Sequence, residues 1–158
     1  MTFGTSIKTC FSKYVTFSGR AQRSEFWWWV LFTWITSMVL GGVDSFLFGT
    51  VTAYDGGFEA STNTPILSGI FSLAIFLPTI SVTVRRLHDT DRSGWWYWIV
   101  LIPLIGIIVL IVFWATEGTR GPNRFGDDPL NPGAGDGGYG AHGGAGLTAS
   151  SVPTVPRD

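Results

Sequence analysis

The sequence predicts an all-α membrane protein with three transmembrane helices, a short amphipathic N-terminal segment and a disordered Gly-rich C-terminal tail. Hydrophobic residues make up 46% of the 158 residues and charged residues only 13%, whereas soluble domains carry about 25% charged residues. The charged residues lie almost entirely outside three apolar runs, each at least 18 residues long. A helix of that length is long enough to cross the hydrocarbon core of a bilayer.

The first 25 residues form a basic N-terminal segment, in which Lys8, Lys13, Arg20 and Arg23 face the single acid Glu25. Its large apolar residues recur mostly at steps of three and four, which is typical of a helix lying on the membrane surface. These residues are Phe3, Ile7, Phe11, Tyr14 and Val15. An irregular lead-in to the first span is the alternative.

The first two predicted spans cover residues 26–47 and 65–84, and Asp44 lies only at the outer end of the first. The connector between them contains no lysine or arginine. Pro78 lies inside the second span, where it would free the carbonyl of Ala74 and kink the helix. The hydroxyl groups of Ser81 and Thr83 are the nearby candidates to compensate.

The third predicted span covers residues 95–116 and is the most hydrophobic of the three. Tryptophans lie at both of its ends, as in the aromatic belts of membrane proteins. Residues 26–132 therefore form one predicted membrane domain between the N-terminal segment, residues 1–25, and the tail. The tail, residues 133–158, has too few large apolar groups to offset the entropy of ordering and is predicted to be disordered.

The distribution of lysine and arginine predicts the orientation. The N-terminal segment carries four of them, the first connector none, the second connector three and the segment after the third span two. The positive-inside rule then places the N-terminus and the second connector in the cytoplasm. Three spans put the C-terminus in the periplasm, although the two arginines after the third span argue mildly against this.

A dense polar stretch, residues 85–96, separates the second and third apolar runs. Together with the end of the N-terminal segment, it is predicted to form a charged cluster at the cytoplasmic interface. The members of this cluster are Arg20, Arg23, Glu25, Arg85, Arg86, His88, Asp89, Asp91 and Arg92. Glu25 is predicted to pair with Arg85 or Arg86 across two packed helices.

Three interpretations of this cluster follow from the sequence. The first is an anchor that combines the positive-inside signal with helix caps and internal ion pairs. The second is a site for anionic lipid headgroups, such as those of cardiolipin. The third is a catalytic or transport role, with His88 and Asp89 as an acid–base pair. Adjacent residues on a helix point about 100° apart, however, so these two do not face each other.

Sites for other chemistry find no support in the sequence. It shows no nucleophile constellation, metal-ligand cluster or phosphate loop, and the single cysteine, Cys10, cannot form an intramolecular disulfide. The net charge of -1 gives no basis for nucleic-acid binding. We therefore expect no enzyme activity, metal or cofactor. The expected partners are the lipid bilayer, further copies of this chain or other membrane proteins.

The expected function is that of a structural, lipid-binding or partner-binding module in the membrane. A subunit of a transport assembly is the alternative, followed by a membrane enzyme that uses His88 and Asp89. The three apolar runs contain no ionisable residue in their cores, which argues against a self-contained pump or channel.

Three stretches carry a resemblance to a known family. They are residues 17–27 (FSGRAQRSEFW), 85–96 (RRLHDTDRSGWW) and 123–129 (NRFGDDP). In this order and spacing the chain resembles the domain-of-unknown-function 805 family, the YhaH-like bacterial inner-membrane proteins, over roughly residues 8–130. The resemblance implies a small integral protein of the bacterial inner membrane. It supplies no reaction, substrate or catalytic residues.

Overall fold

The structure, a computed structural model, describes residues 1–62 and 64–132. The predicted disordered tail, residues 133–158, lies outside the described residues. In chain order the elements are α1 (Phe3–Ser12), α2 (Arg23–Phe48), β1 (Gly49–Tyr54), β2 (Gly57–Thr62), α3 (Ile66–Asp89), a 3-10 helix (Gly94–Leu101) and α4 (Ile105–Ala115).

Helices α2 and α3 form a long antiparallel pair. Within the described part of the chain, they are the two helices that are long and apolar enough to cross a membrane, with 26 and 24 residues. At about 1.5 Å per residue they are roughly 39 and 36 Å long, which exceeds the thickness of a hydrocarbon core. Side-chain contacts join them at three heights: Glu25 to Arg85, Trp29 to Thr79, and Asp44 to Leu67.

Helix α3 continues beyond the predicted end of the second span. It runs to Asp89 rather than to Val84, so four members of the charged cluster belong to its last turns and not to a connector. These four are Arg85, Arg86, His88 and Asp89. The sequence prediction stopped the helix where the charges begin, but these charges are held inside the protein and do not end the helix.

The connector between α2 and α3 is a β-hairpin, which the all-α prediction missed. Strands β1 and β2 pair antiparallel, with Gly49 opposite Thr62 and Tyr54 opposite Gly57. The turn consists of Asp55 and Gly56, and Gly56 adopts a φ of 108°. Asp-Gly is a strong signal for a two-residue hairpin turn, because glycine tolerates a positive φ.

The carboxylate of Asp44, near the end of α2, caps the start of α3. It is buried and accepts hydrogen bonds from the backbone N–H groups of Leu67 and Ser68, at 3.0 and 2.8 Å, and from the Ser68 hydroxyl at 2.7 Å. The first N–H groups of a helix have no partner inside the helix. A negative charge there is also favoured by the helix dipole. Asp44 therefore fixes the position of α3 against α2.

A helix, α1, forms within the predicted N-terminal segment, and Tyr14 and Val15, the last two apolar residues of the predicted pattern, follow it. It packs against the first turns of α2, where the rings of Phe3 and Trp28 lie 5.6 Å apart and those of Phe11 and Trp29 lie 5.2 Å apart, both edge to face. Cys10 of α1 lies in the buried core with Ala21, Phe26, Trp29 and Val82. The N-terminal segment is thus part of the folded domain.

Pro78 lies within α3 as predicted, and the structure shows what satisfies the carbonyl of Ala74. The hydroxyl group of Tyr14 donates a hydrogen bond to it at 2.5 Å. Ser81, one of the predicted candidates, instead lies 3.0 Å from the carbonyl oxygen of Lys13 and 2.6 Å from that of Thr16. The segment after α1 is therefore attached to α3 by two side chains.

The predicted third span is wrong as a continuous helix. Residues 95–116 are divided between the 3-10 helix and α4, and Leu104, which directly precedes α4, has a φ of 65°. At Gly106 a Cβ atom would collide with the Ile99 carbonyl oxygen, so glycine is required where the two arms approach. Each arm is only about 16 Å long. This segment therefore forms a helical hairpin of about half a membrane thickness.

The hairpin begins and ends at the same end of the α2–α3 pair. Its second arm returns to Arg86, whose guanidinium donates to the carbonyl groups of Trp114 and Thr116. The following segment contacts Arg20, which donates to the Gly121 carbonyl at 2.6 Å. Residues 117–130 thus lie beside the start of α2. The prediction that a third span carries them to the opposite end is wrong.

Candidate functional site

The nine residues predicted to form a charged cluster differ in exposure. Arg20, Glu25, Arg85, Arg86 and Asp89 are buried, whereas Arg23 and Asp91 are exposed and His88 and Arg92 are intermediate. Buried charges must be paired to be tolerated. The partners of the five buried groups therefore decide what the cluster can do.

Asp89 is the centre of the buried network. Its Oδ1 accepts from Arg20 Nε at 3.0 Å, and its Oδ2 accepts from Arg86 Nη1. Because Asp89 and Arg86 lie three residues apart on α3, they share one face of the helix. Gly118 packs directly against the Asp89 carboxylate, where a Cβ atom would collide with Oδ2. Both carboxylate oxygens are therefore occupied by guanidinium groups.

The two arginines use their remaining donors on backbone carbonyl groups. Arg20 donates to Thr119 and Gly121, and Arg86 to Trp114, Thr116 and Ala21. These carbonyl groups belong to α4, to the segment after it and to the segment before α2. The network therefore connects three parts of the chain that are distant in sequence: residues 20–21, the end of α3, and residues 114–121.

Glu25 and Arg85 form a second buried pair. Arg85 Nη1 lies 2.7 Å from Glu25 Oε1, so the predicted pairing across α2 and α3 is present with Arg85 and not with Arg86. The Arg85 carbonyl also accepts from the backbone N–H of Ala21 at 3.0 Å. Arg85 Nε and Nη2 are buried without a hydrogen-bond partner in the described structure. The pair is thus fully enclosed but only partly satisfied.

Cys10 is adjacent to this second pair. Its Sγ lies 4.0 Å from Glu25 Oε1. Burial raises the pKa of the Cys10 thiol to about 12, and the nearby Glu25 carboxylate acts in the same direction. A thiol that stays protonated is a poor nucleophile and a poor metal ligand. Cys10 therefore has the role of a small core residue.

The third family-like stretch, residues 123–129, joins the cluster, which the sequence prediction did not include. Asn123 Nδ2 donates to the His88 carbonyl at 2.9 Å, and Arg124 Nε lies 3.1 Å from Asp91 Oδ1. The backbone N–H groups of Leu130 and Gly121 hold the pKa of Asp128 below its ordinary value. The three family-like stretches are all rich in polar residues, and this shared property was the signal in the sequence that they lie together in the fold.

The geometry does not form an acid–base pair from His88 and Asp89. The Asp89 carboxylate faces Arg20 and Arg86, whereas the His88 ring contacts Gly19 and stacks on Phe125. No group of three metal-ligating side chains occurs among residues 1–62 and 64–132. The arrangement neutralises buried charge and connects segments.

Comparison with known proteins agrees with the motifs. Residues 14–127 match the family described as Protein of unknown function (DUF805). Over 116 residues the chain is 45% identical to Inner membrane protein YhaH of Escherichia coli strain K12, covering 73% of this chain and 88% of that protein. It is 44% identical to Inner membrane protein YhaI of the same strain, with 73% and 87% covered. No solved structure gives a significant match.

Proposed function

We propose that this chain, which belongs to the DUF805 family and, like its relatives, to the bacterial inner membrane, is a non-catalytic, lipid-binding module. In this proposal α2 and α3 cross the membrane. The hairpin of residues 95–116 enters the membrane and leaves it on the same side. The charged end of the molecule faces the cytoplasm and contacts anionic lipid headgroups.

The observation that carries the proposal is the internal saturation of the Asp89 network. Arg20 and Arg86 direct their donors at Asp89 and at backbone carbonyl groups of the same chain. A headgroup phosphate would have to displace these partners, and a substrate would find no free acid or base among them. These contacts support a structural role for the buried residues. Lipid headgroups would therefore contact the cations outside the buried network.

Three cations that are available to lipid lie in the N-terminal segment. Lys8 and Arg23 are exposed and Lys13 is intermediate, and within the described residues none of the three forms an ion pair. Lys8 lies on α1, Lys13 directly follows it, and Arg23 begins α2, on which α1 packs. Each basic residue near an anionic leaflet contributes about 1 kcal/mol of attraction. Three of them give a lipid-facing basic edge.

The distribution of lysine and arginine supports a location of both ends of the folded domain on the same side of the membrane. Of ten lysines and arginines, nine precede residue 133. All nine lie in the N-terminal segment, in the second half of α3 or after it, and the β-hairpin has none. With the hairpin of residues 95–116 returning to its starting end, the positive-inside rule favours a cytoplasmic location for this whole group.

The test is purification in mild detergent, with bound lipids and proteins identified by mass spectrometry. Lys8→Gln, Lys13→Gln and Arg23→Gln, singly and combined, are compared with Arg120→Gln, which removes a cation paired with Glu117. We expect the combined variant to lose several-fold of the co-purifying anionic lipid and Arg120→Gln to lose little. Equal lipid content in all variants would contradict the proposal. A protein recovered in fixed ratio instead of lipid would favour a partner-binding module.

A further inference from the structure

His88 lies outside the Asp89 network, and its ring is held on two sides. Its Nδ1 lies 3.2 Å from the Gly19 carbonyl oxygen, and the ring stacks on Phe125 with centroids 3.9 Å apart at an interplanar angle of 3°. A carbonyl oxygen only accepts hydrogen bonds, so Nδ1 carries the proton. The neutral imidazole then presents Nε2 as a lone-pair acceptor.

His88 lines a cavity beside the start of the 3-10 helix. Its Nε2 makes no hydrogen bond within residues 1–62 and 64–132, and it would lie 3.6 Å from a Cβ atom placed on Gly94, a residue of the cavity wall. The cavity has a volume of about 440 Å³. Apart from Gly94, it is lined by Phe17, Val84, His88, Ser93, Trp95 and Trp98. It therefore combines aromatic walls, one hydroxyl group and one imidazole acceptor.

The charged groups near the cavity indicate which ligand charge it would accept. No carboxylate lines the cavity. The Arg124 guanidinium lies 4.7 Å from the centroid of Phe125, the ring that stacks on His88, whereas the Arg92 guanidinium lies over the ring of Phe113. Asp91 offsets Arg124 in part, through the contact at 3.1 Å. An ammonium group would therefore find no counter-ion in the cavity wall, whereas a neutral hydroxyl donor needs none, and Arg124 is a cation close to an adjoining phosphate.

Access to the cavity is from the level of the lipid headgroups. The side chains of Trp95 and Trp98 are 78% and 57% exposed, and they lie where the hairpin of residues 95–116 leaves the charged end. Exposed indoles at such positions favour the membrane interface. A ligand that reaches His88 from this side is a lipid headgroup of the same leaflet.

We propose that this cavity binds the glycerol headgroup of phosphatidylglycerol, with a headgroup hydroxyl donating to His88 Nε2. The inference rests on the proposed lipid-binding function and names a lipid class and a second set of residues for it. The aromatic walls contact the carbon atoms of the glycerol. The phosphodiester lies on the side of Arg124.

The experiment compares two lipids of equal charge by native mass spectrometry and by thermal stability of the full chain in detergent. Phosphatidylglycerol has two headgroup hydroxyl groups, and phosphatidylmethanol has the same phosphodiester with none. We expect the protein to prefer phosphatidylglycerol about fivefold, the effect of one neutral hydrogen bond. His88→Asn keeps a donor at the position of Nδ1 and removes Nε2, so it should abolish the preference.

A matched pair of tryptophan variants reports on the aromatic wall. Trp95→Leu should weaken phosphatidylglycerol binding, whereas Trp34→Leu on α2, where the side chain is 62% exposed, should not. Equal binding of the two lipids by the unchanged protein overturns the inference and leaves the proposed function standing, and that result does not depend on the folding of any variant. Binding of neither lipid contradicts both. Stabilisation by soluble glycerol 1-phosphate alone would overturn the lipid assignment.

Discussion

A single carboxylate between two guanidinium groups gives this protein much of its tertiary connection. Asp89 is contacted by Arg20 from before α2 and by Arg86 from its own helix. Asp89 would keep Arg20 as its counter-ion if Arg86 were removed, but Asp89 Oδ2 and the carbonyl groups of Trp114 and Thr116 would lose their donors. Each buried acceptor left without a donor costs about 1–3 kcal/mol, so Arg86→Gln should destabilise the protein by about 3 kcal/mol or more.

The pairing of Glu25 gives a sharper prediction. Glu25→Gln and Arg85→Gln should each destabilise the protein, and the double variant should be less damaged than their sum, with a coupling free energy of about 1 kcal/mol or more. Glu25→Gln combined with Arg86→Gln should be nearly additive, because Arg86 pairs with Asp89. The measurement is a double-mutant cycle on thermal stability in detergent. Additivity of Glu25→Gln with both arginine variants would contradict the Glu25–Arg85 pair.

The sequence predicted that Glu25 forms an ion pair, but it did not decide which arginine is the partner. Glu25 is the only acid among the first 43 residues, which made a pairing with an arginine beyond the second apolar run a reasonable expectation. The choice between Arg85 and Arg86 depends on the helix rotation, and that rotation is fixed only by packing against α2. Extending α3 to Asp89 would have revealed the Arg86–Asp89 spacing of three residues.

At the level of elements, the contact between Tyr14 and α3 compensates for Pro78. Proline removes the N–H that would bind the Ala74 carbonyl, and the Tyr14 hydroxyl takes its place at 2.5 Å. Tyr14→Phe should therefore lower the free energy of unfolding by about 1 kcal/mol. In a Pro78→Ala background the cost should largely vanish, because residue 78 then supplies its own N–H.

Thermal unfolding of the four proteins of this cycle measures the effect. Tyr54→Phe is the matched control, since Tyr54 is 60% exposed in β1 and surface substitutions usually change stability by less than about 0.5 kcal/mol. If Tyr14→Phe costs the same with and without Pro78, the hydroxyl does not serve the Ala74 carbonyl.

The two hairpins show where sequence patterns were insufficient. Twenty-two apolar residues fit one spanning helix as well as two shorter arms, because hydrophobicity does not record direction. Pro103 and Leu104 lie in the turn, directly before α4, and a positive φ at Leu104 is a conformation that no pattern predicts for leucine. The β-hairpin was more predictable, since Asp55-Gly56 between short runs of β-forming residues is a recognised turn signal.

At the scale of the whole molecule, the return of residues 95–116 to their starting end explains why arginines follow α4. The two arginines after α4 argued against a periplasmic C-terminal segment, and the structure brings that segment to Arg20. All three family-like stretches then meet at one end of the α2–α3 pair. The Asp44 carboxylate and the β-hairpin mark the opposite end.

The most direct test is cysteine labelling of the full chain in cells. Cys10 is the single cysteine, so Cys10→Ser provides a background for Asp55→Cys in the β-hairpin turn and Asp127→Cys after α4, both at exposed positions. A membrane-impermeant maleimide is applied to spheroplasts before and after lysis. We predict that the Asp55→Cys protein is labelled in intact spheroplasts and the Asp127→Cys protein only after lysis. Labelling of the Asp127→Cys protein in intact spheroplasts would contradict the return of residues 95–116 to the cytoplasmic side.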